Sequence, residues 1–275
     1  MQFEEWASKT LKDRYFSLIK RIEEKKLADK CTIPFVPYRG SAYGDDNKPK
    51  ILIIGKATYG WGKGDEGQGS GALNDVLDKD DHALWEHLVE LPEEFIEGEI
   101  IPYCGGEEGH YGSRFWRRIY QLAGKLLLDR PISNERDLQV SEKCFKSIAW
   151  SNVFKVGALK SEGGNPKKKL RDIQKEENKK EGNAFEEEIA ALQPDVAIFS
   201  TGPPHDYDKH IKDLLPNTSM EEIGPEHEHL KIKEIEGLGT LAFRTYHFQY
   251  YYSNKKFEQI VDCIRDRMNG TSTEG

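Results

Sequence analysis

An α/β fold is what the sequence predicts: three layers, α/β/α, around a central, mainly parallel sheet of four strands. Three observations carry this expectation. Four short apolar runs, Lys50–Gly55, Ser147–Phe154, Asp195–Gly202 and Leu238–Tyr246, have the length and continuity of strands buried on both faces. Segments with helical apolar spacing separate them, and glycine or proline punctuates their ends. Apolar strands alternating with helices form parallel sheets covered on both sides.

Along the chain, Leu11, Tyr15, Leu18, Ile19 and Ile22 mark an amphipathic helix reaching about Leu27, broken by Pro34, Pro37 and the Gly40–Asp46 stretch. The first strand runs into Gly55, and a glycine-rich loop follows from Gly60 to Gly71. A helix starts after Ser113, a residue able to cap it, with Phe115, Ile119, Leu122 and Leu126 on one face. The second strand leads through a polar loop into a charged helix from about Pro166 to Leu192, with a break near Gly182. The third strand stops at Gly202-Pro203-Pro204, and a short helix over 206–215 follows. After the fourth strand, Ser253–Met268 closes the chain as a helix with Phe257, Ile260, Val261 and Ile264 inward. The expectation is one α/β domain over 1–275, with an N-terminal helical extension (about 1–47) and an acidic insertion (about 64–110).

The chain's 275 residues supply a core without staples, and twelve Phe, twelve Tyr and five Trp argue against global disorder. No apolar run reaches the ~18 residues that span a bilayer, and the N-terminus lacks the pattern of a signal peptide. A cytoplasmic protein away from membranes is expected. Cys31, Cys104, Cys144 and Cys263 are scattered without a C-x-x-C pair, so buried free thiols are expected rather than a metal site. His205, Asp206, Asp208 and His210 have no closed ligand spacing either, and read as surface loop.

A net charge of -8 speaks against a whole-surface nucleic-acid binder. The charge is unevenly placed, however. Gly64–His110 holds fourteen acids and one lysine, a net of -13, which leaves +5 on the remainder. Phe154–Lys180 is locally basic at +5. Both stretches fit solvated surface; the sharper reading is a phosphate-contacting edge at Lys155, Lys160, Lys167, Lys168 and Lys169, with an acidic insertion serving another role. The glycine loop is not a Walker A motif, because Gly64 stands where Lys63 should be followed by a hydroxyl, and it does not open directly into a dinucleotide-binding helix.

Taken in order, the strand ends resemble the uracil-DNA glycosylase superfamily over roughly residues 48–268. Gly55-Lys56-Ala57-Thr58-Tyr59 is similar to its first motif. Ser113-Arg114-Phe115-Trp116-Arg117 resembles the N-R-F-W helix start, Ser151-Asn152-Val153 the strand end whose asparagine reads the base, and Tyr246-His247-Phe248-Gln249 the H-P-S motif. The resemblance implies a divergent glycosylase that hydrolyses the N-glycosidic bond of a damaged or deaminated base in DNA during base-excision repair. His247 and Lys56 would be catalytic, with Gly55, Tyr59, Asn152 and Tyr111 around the base. No cofactor or metal is implied, and a monomer is expected. The chain departs from the pattern at Ala57 and Thr58, where an Asp or Asn often positions water, and at Phe248 and Gln249, where Pro and Ser usually follow the histidine.

Such chemistry develops positive charge on the sugar and negative charge on the departing base, so the site must hold the flipped base and stabilise both charges. Asn152 offers an amide to a pyrimidine edge, but also suits a turn; His247 offers a hydrogen bond to the leaving base, but also suits a half-buried ring. Lys56 could offset the anionic base or lie on the solvent side, and Asp65 and Glu66 are the nearest carboxylates that could replace the missing acid. Phe115 and Trp116 read as core. The aromatic run Tyr246, Phe248, Tyr250, Tyr251, Tyr252 reads as strand and helix-start packing, or as a stacking platform for single-stranded nucleic acid. Two alternatives stand beside cleavage: an inactive nucleic-acid or nucleotide-binding module on the same fold, and a protein whose acidic segment meets a basic protein partner.

Overall fold

The computed structural model describes residues 9–57, 71–110, 112–159, 168–181, 184–202, 204–223 and 232–270. All four predicted strands form: β2 (Ile51–Ala57), β3 (Ile148–Phe154), β4 (Val196–Ser200) and β7 (Leu241–Thr245). They lie parallel in the spatial order β3-β2-β4-β7. The sheet nevertheless has seven strands among the described residues, not four. β1 (Tyr38–Arg39) pairs antiparallel with β3 at one edge; β6 (Lys233–Glu236) and β5 (Ser219–Glu222) add antiparallel strands beyond β7. These additions are two to four residues long and mostly polar or half-exposed, so they carry no apolar run to detect.

Side-chain alternation distributes the core over the two faces of the parallel strands. Ile51, Ile53, Ile148, Trp150, Val196, Ile198 and Phe243 join a cluster with α4 (Arg114–Leu128), α5 (Leu138–Lys146) and α9 (Asn254–Met268). Leu52, Ile54, Ala149, Ala197, Phe199 and Ala242 face the other way, onto α7 (Ala184–Leu192) and α8 (Pro204–Leu214). Most of these side chains are at 0–2% exposure, and each Val, Leu, Ile or Phe among them contributes about 1.5–3 kcal/mol of burial.

The N-terminal helix is α1 (Lys9–Glu24), and all five predicted apolar positions are buried. The charged helix is two pieces, α6 (Lys168–Glu181) and α7, on either side of the expected break near Gly182. Ser113 occupies the N-cap position of α4, but its side chain makes no capping bond, a departure from expectation. Asp80, by contrast, caps α2 (Asp81–Phe95) by accepting from the backbone N–H of His82 and Ala83, both at 2.9 Å.

The described part of the acidic segment is mainly helical, and its apolar residues pack into the core. α2 continues through a π-helical turn (Ile96–Ile100) into α3 (Ile101–Gly105). Leu84, Leu88 and Val89 pack with α1, while Ile96, Ile100, Ile101 and Cys104 enter the main core. Its acids are exposed or half-buried, and those within the helical stretch take its outward positions. Cys31, Cys104 and Cys144 are buried and Cys263 is half-buried, all as free thiols, as expected. Residues 204–214, expected in part as surface loop, form α8. No helix among the described residues is long and apolar enough to cross a membrane.

Candidate functional site

At the carboxyl ends of the parallel strands, Gly55 on β2 sits in register with Asn152 on β3. That register explains the glycine. A Cβ on Gly55 would collide with Asn152 Oδ1 and come within 3.5 Å of Trp150 Nε1. Asn152 is only 2% exposed, yet its Nδ2 has no hydrogen-bond partner among the described residues. Thr201, just beyond β4, is likewise buried at 0% exposure, and its Oγ1 has no partner among the described residues. Sequence reasoning did not single out Thr201; a hydroxyl between an apolar strand and a glycine was its only signal.

His247 follows β7 and is held from several sides. Its ring stacks on Phe115 of α4, centroids 4.9 Å apart, and Tyr250 meets it edge-on at 6.0 Å. The backbone N–H of Gln249 donates to His247 Nδ1 at 3.4 Å, so the neutral ring carries its proton on Nε2. The next residue is pinned to β4, where Phe248 N–H donates to Ser200 Oγ at 2.8 Å. Arg118 of α4 donates to the Tyr251 carbonyl from Nε at 3.0 Å and Nη2 at 2.7 Å, and exposed Arg114 donates to the Gln249 carbonyl at 3.2 Å. The Arg-Phe-Trp-Arg-Arg run thus fastens the turn that presents the histidine. Phe115 and Trp116 are core, as expected, with Trp116 edge-on to Trp150 at 4.5 Å.

Burial lowers the His247 pKa from 6.5 to about 4, and the Lys56 ammonium pushes in the same direction. His247 is therefore neutral at physiological pH. Lys56, half-exposed on β2, is electrostatically coupled to it. Behind His247, the chain leaves β4 through Gly202 at φ +105°, where a Cβ would approach His247 Cβ at 3.7 Å.

Lys155 does not belong to the predicted phosphate edge. Lys155 is 1% exposed and cannot reach a phosphate. Its Nζ donates to Glu188 Oε2 at 2.6 Å and Ser151 Oγ at 2.7 Å, and Ser151 Oγ donates to the same carboxylate at 2.7 Å. The Tyr15 hydroxyl reaches Glu188 Oε1 at 2.6 Å, joining α1 to the network. Burial pushes the Lys155 pKa down, while Glu188 opposes the shift. The missed signal lies in α7: Phe185, Glu188, Ile189 and Leu192 share one helical face, so Glu188 is a carboxylate on an apolar stripe. Lys168 and Lys169 are exposed at the start of α6. Tyr59, Tyr111, Lys160, Lys167, Asp65 and Glu66 lie outside the described residues.

The site therefore brings Gly55, Lys56, Asn152 and His247 to the carboxyl edge of one sheet, where α/β folds bind ligands. It combines an amide whose Nδ2 is unpartnered among the described residues, a neutral imidazole donor and a cation. Comparison with protein-family models and with curated proteins finds no match.

Proposed function

We propose that this chain is a divergent member of the uracil-DNA glycosylase superfamily, recognising a nucleobase at the strand ends and hydrolysing its N-glycosidic bond in DNA. The observation that carries the reading is Asn152, a buried amide whose Nδ2 is unpartnered among the described residues beside a glycine that leaves it room. An unsatisfied buried donor costs about 1–3 kcal/mol, a cost a base carbonyl would remove on binding. Asn152 on β3 and His247 beyond β7 lie three strand spacings apart, ~14 Å along the sheet edge, enough to flank a nucleobase.

In cleavage the C1′–N bond breaks and its electron pair passes to the base; water adds to the sugar cation and loses a proton, which the base anion takes up on release. Neutral His247, with its proton on Nε2, suits donation to the base oxygen that becomes anionic, and Lys56 adds a favourable field. The reading is tested with oligonucleotides containing uracil, hypoxanthine or mismatches at enzyme excess. Base release by wild type, lost in His247→Ala and Asn152→Ala, is the expected result; uncut substrates reject cleavage.

A second reading, a non-hydrolysing base-binding module, is favoured by Ala57 and Thr58, which offer neither carboxylate nor amide to a water. Oligonucleotide binding that requires Asn152 without base release would select it.

A further inference from the structure

Beside the site, two segments with basic residues meet. Gly112–Leu128 and Gly237–Phe257 together hold seven Arg or Lys and no acid; of these, Arg114, Lys255 and Lys256 are exposed and Arg117 is half-buried, whereas Arg118 and Arg244 are buried and Lys125 pairs with Glu258 and Asp262. The two segments meet where Arg114 and Arg118 bond to the carbonyls of Gln249 and Tyr251. At that junction stand the two most exposed large aromatic side chains among the described residues, Tyr252 at 74% and Tyr250 at 49%. Neither belongs to the core, unlike their buried neighbours Phe248 and Tyr251.

The guanidinium of Arg114 covers one face of the Tyr252 ring at 4.0 Å, so the ring is held while the rest of it remains open to solvent. Tyr250 stands against the His247 ring, at the margin of the strand-end site. Lys255 and Lys256 are exposed beside them at the start of α9. An exposed π-face pre-ordered by a cation, with a second exposed ring and lysines near it in the chain, supplies the components that bind unpaired bases and their phosphates.

We propose that Tyr250, Tyr252 and Arg114 form a stacking platform for single-stranded nucleic acid alongside the strand-end site. It rests on the reading of that site as base-recognising, and specifies the form in which the polymer arrives: as an unpaired strand whose neighbouring bases stack on the platform. A duplex hides its base faces and offers the rings little.

The test is fluorescence anisotropy of the full chain with labelled twelve-nucleotide dT and rU strands and a duplex of equal length, over a salt series. Both strands are expected to outcompete the duplex, and the better of the two identifies the polymer. Tyr252→Ala should weaken strand binding roughly 5- to 150-fold, the range for loss of one base–aromatic stack, whereas Tyr252→Phe retains it. Arg114→Gln should lower the slope of log affinity against log salt by about 0.7. A preference for duplex, absence of strand binding at low salt, or a Tyr252→Ala variant that binds like wild type overturns the proposal. The cleavage reading fails separately. Strand binding that depends on Tyr252 without base release removes cleavage alone, and base release with strand binding indifferent to Tyr252 removes the platform alone.

Discussion

Removing the Lys155 side chain should unfold this protein at lower temperature rather than loosen its hold on a polyanion. Lys155 and Glu188 are 1% and 0% exposed with a 2.6 Å contact. Lys155→Met leaves the carboxylate buried with the hydroxyls of Tyr15 and Ser151 but no counter-charge. Breaking one partner of such a pair costs about 3–5 kcal/mol. An unfolding entropy of about 2.1 cal/mol/K per residue gives this chain roughly 0.6 kcal/mol/K, so Tm should fall by about 5–9 °C. Glu188→Gln should also destabilise, because it strands the ammonium. The double variant Lys155→Met/Glu188→Gln should lose clearly less than the two single losses added together. Scanning calorimetry or thermal circular dichroism on the four proteins reads the cycle. Additive losses, or a single-variant shift under about 1 °C, would refute the buried-pair argument; a stable Lys155→Met protein with a weaker salt dependence of DNA binding would restore the phosphate role.

Burial of His247 has a pH signature. Its folded pKa, about 4, lies below the ordinary 6.5, so the unfolded chain binds more protons between these values. Its contribution is full above pH 6.5 and is lost as pH falls towards 4, by at most about 3 kcal/mol. Urea unfolding at pH 4.5 and 7 should show wild type losing more stability than His247→Gln; equal losses would contradict the burial. Gly55→Ala should cost about 1–3 kcal/mol and displace the Asn152 amide, measured by denaturation and by oligonucleotide binding. Thr201→Val removes a buried hydroxyl that is unpartnered among the described residues, and should leave stability unchanged or raise it by about 1 kcal/mol in chemical denaturation.

Apolar periodicity alone located the four parallel strands and most of the helices, because each must bury one or both faces whatever its neighbours are. It also marked Phe115 and Trp116 as core. The antiparallel edge strands escaped it, since backbone pairing to an existing sheet gives short polar segments their conformation. Charge counting was less faithful. The acids of 71–110 sit on the outer face of helices whose other face fills the core, and Lys155 belongs to a buried network assembled from α1, β3 and α7. A lysine's charge is visible in a sequence, but whether it meets solvent or a carboxylate depends on contacts between residues far apart in the chain. For the same reason the strand-end motifs named Asn152 and His247, while only the tertiary structure decided that Gly55 makes room for one, that Phe115 and Arg118 hold the other, and that Arg114 of α4 lies over the Tyr252 ring beside them.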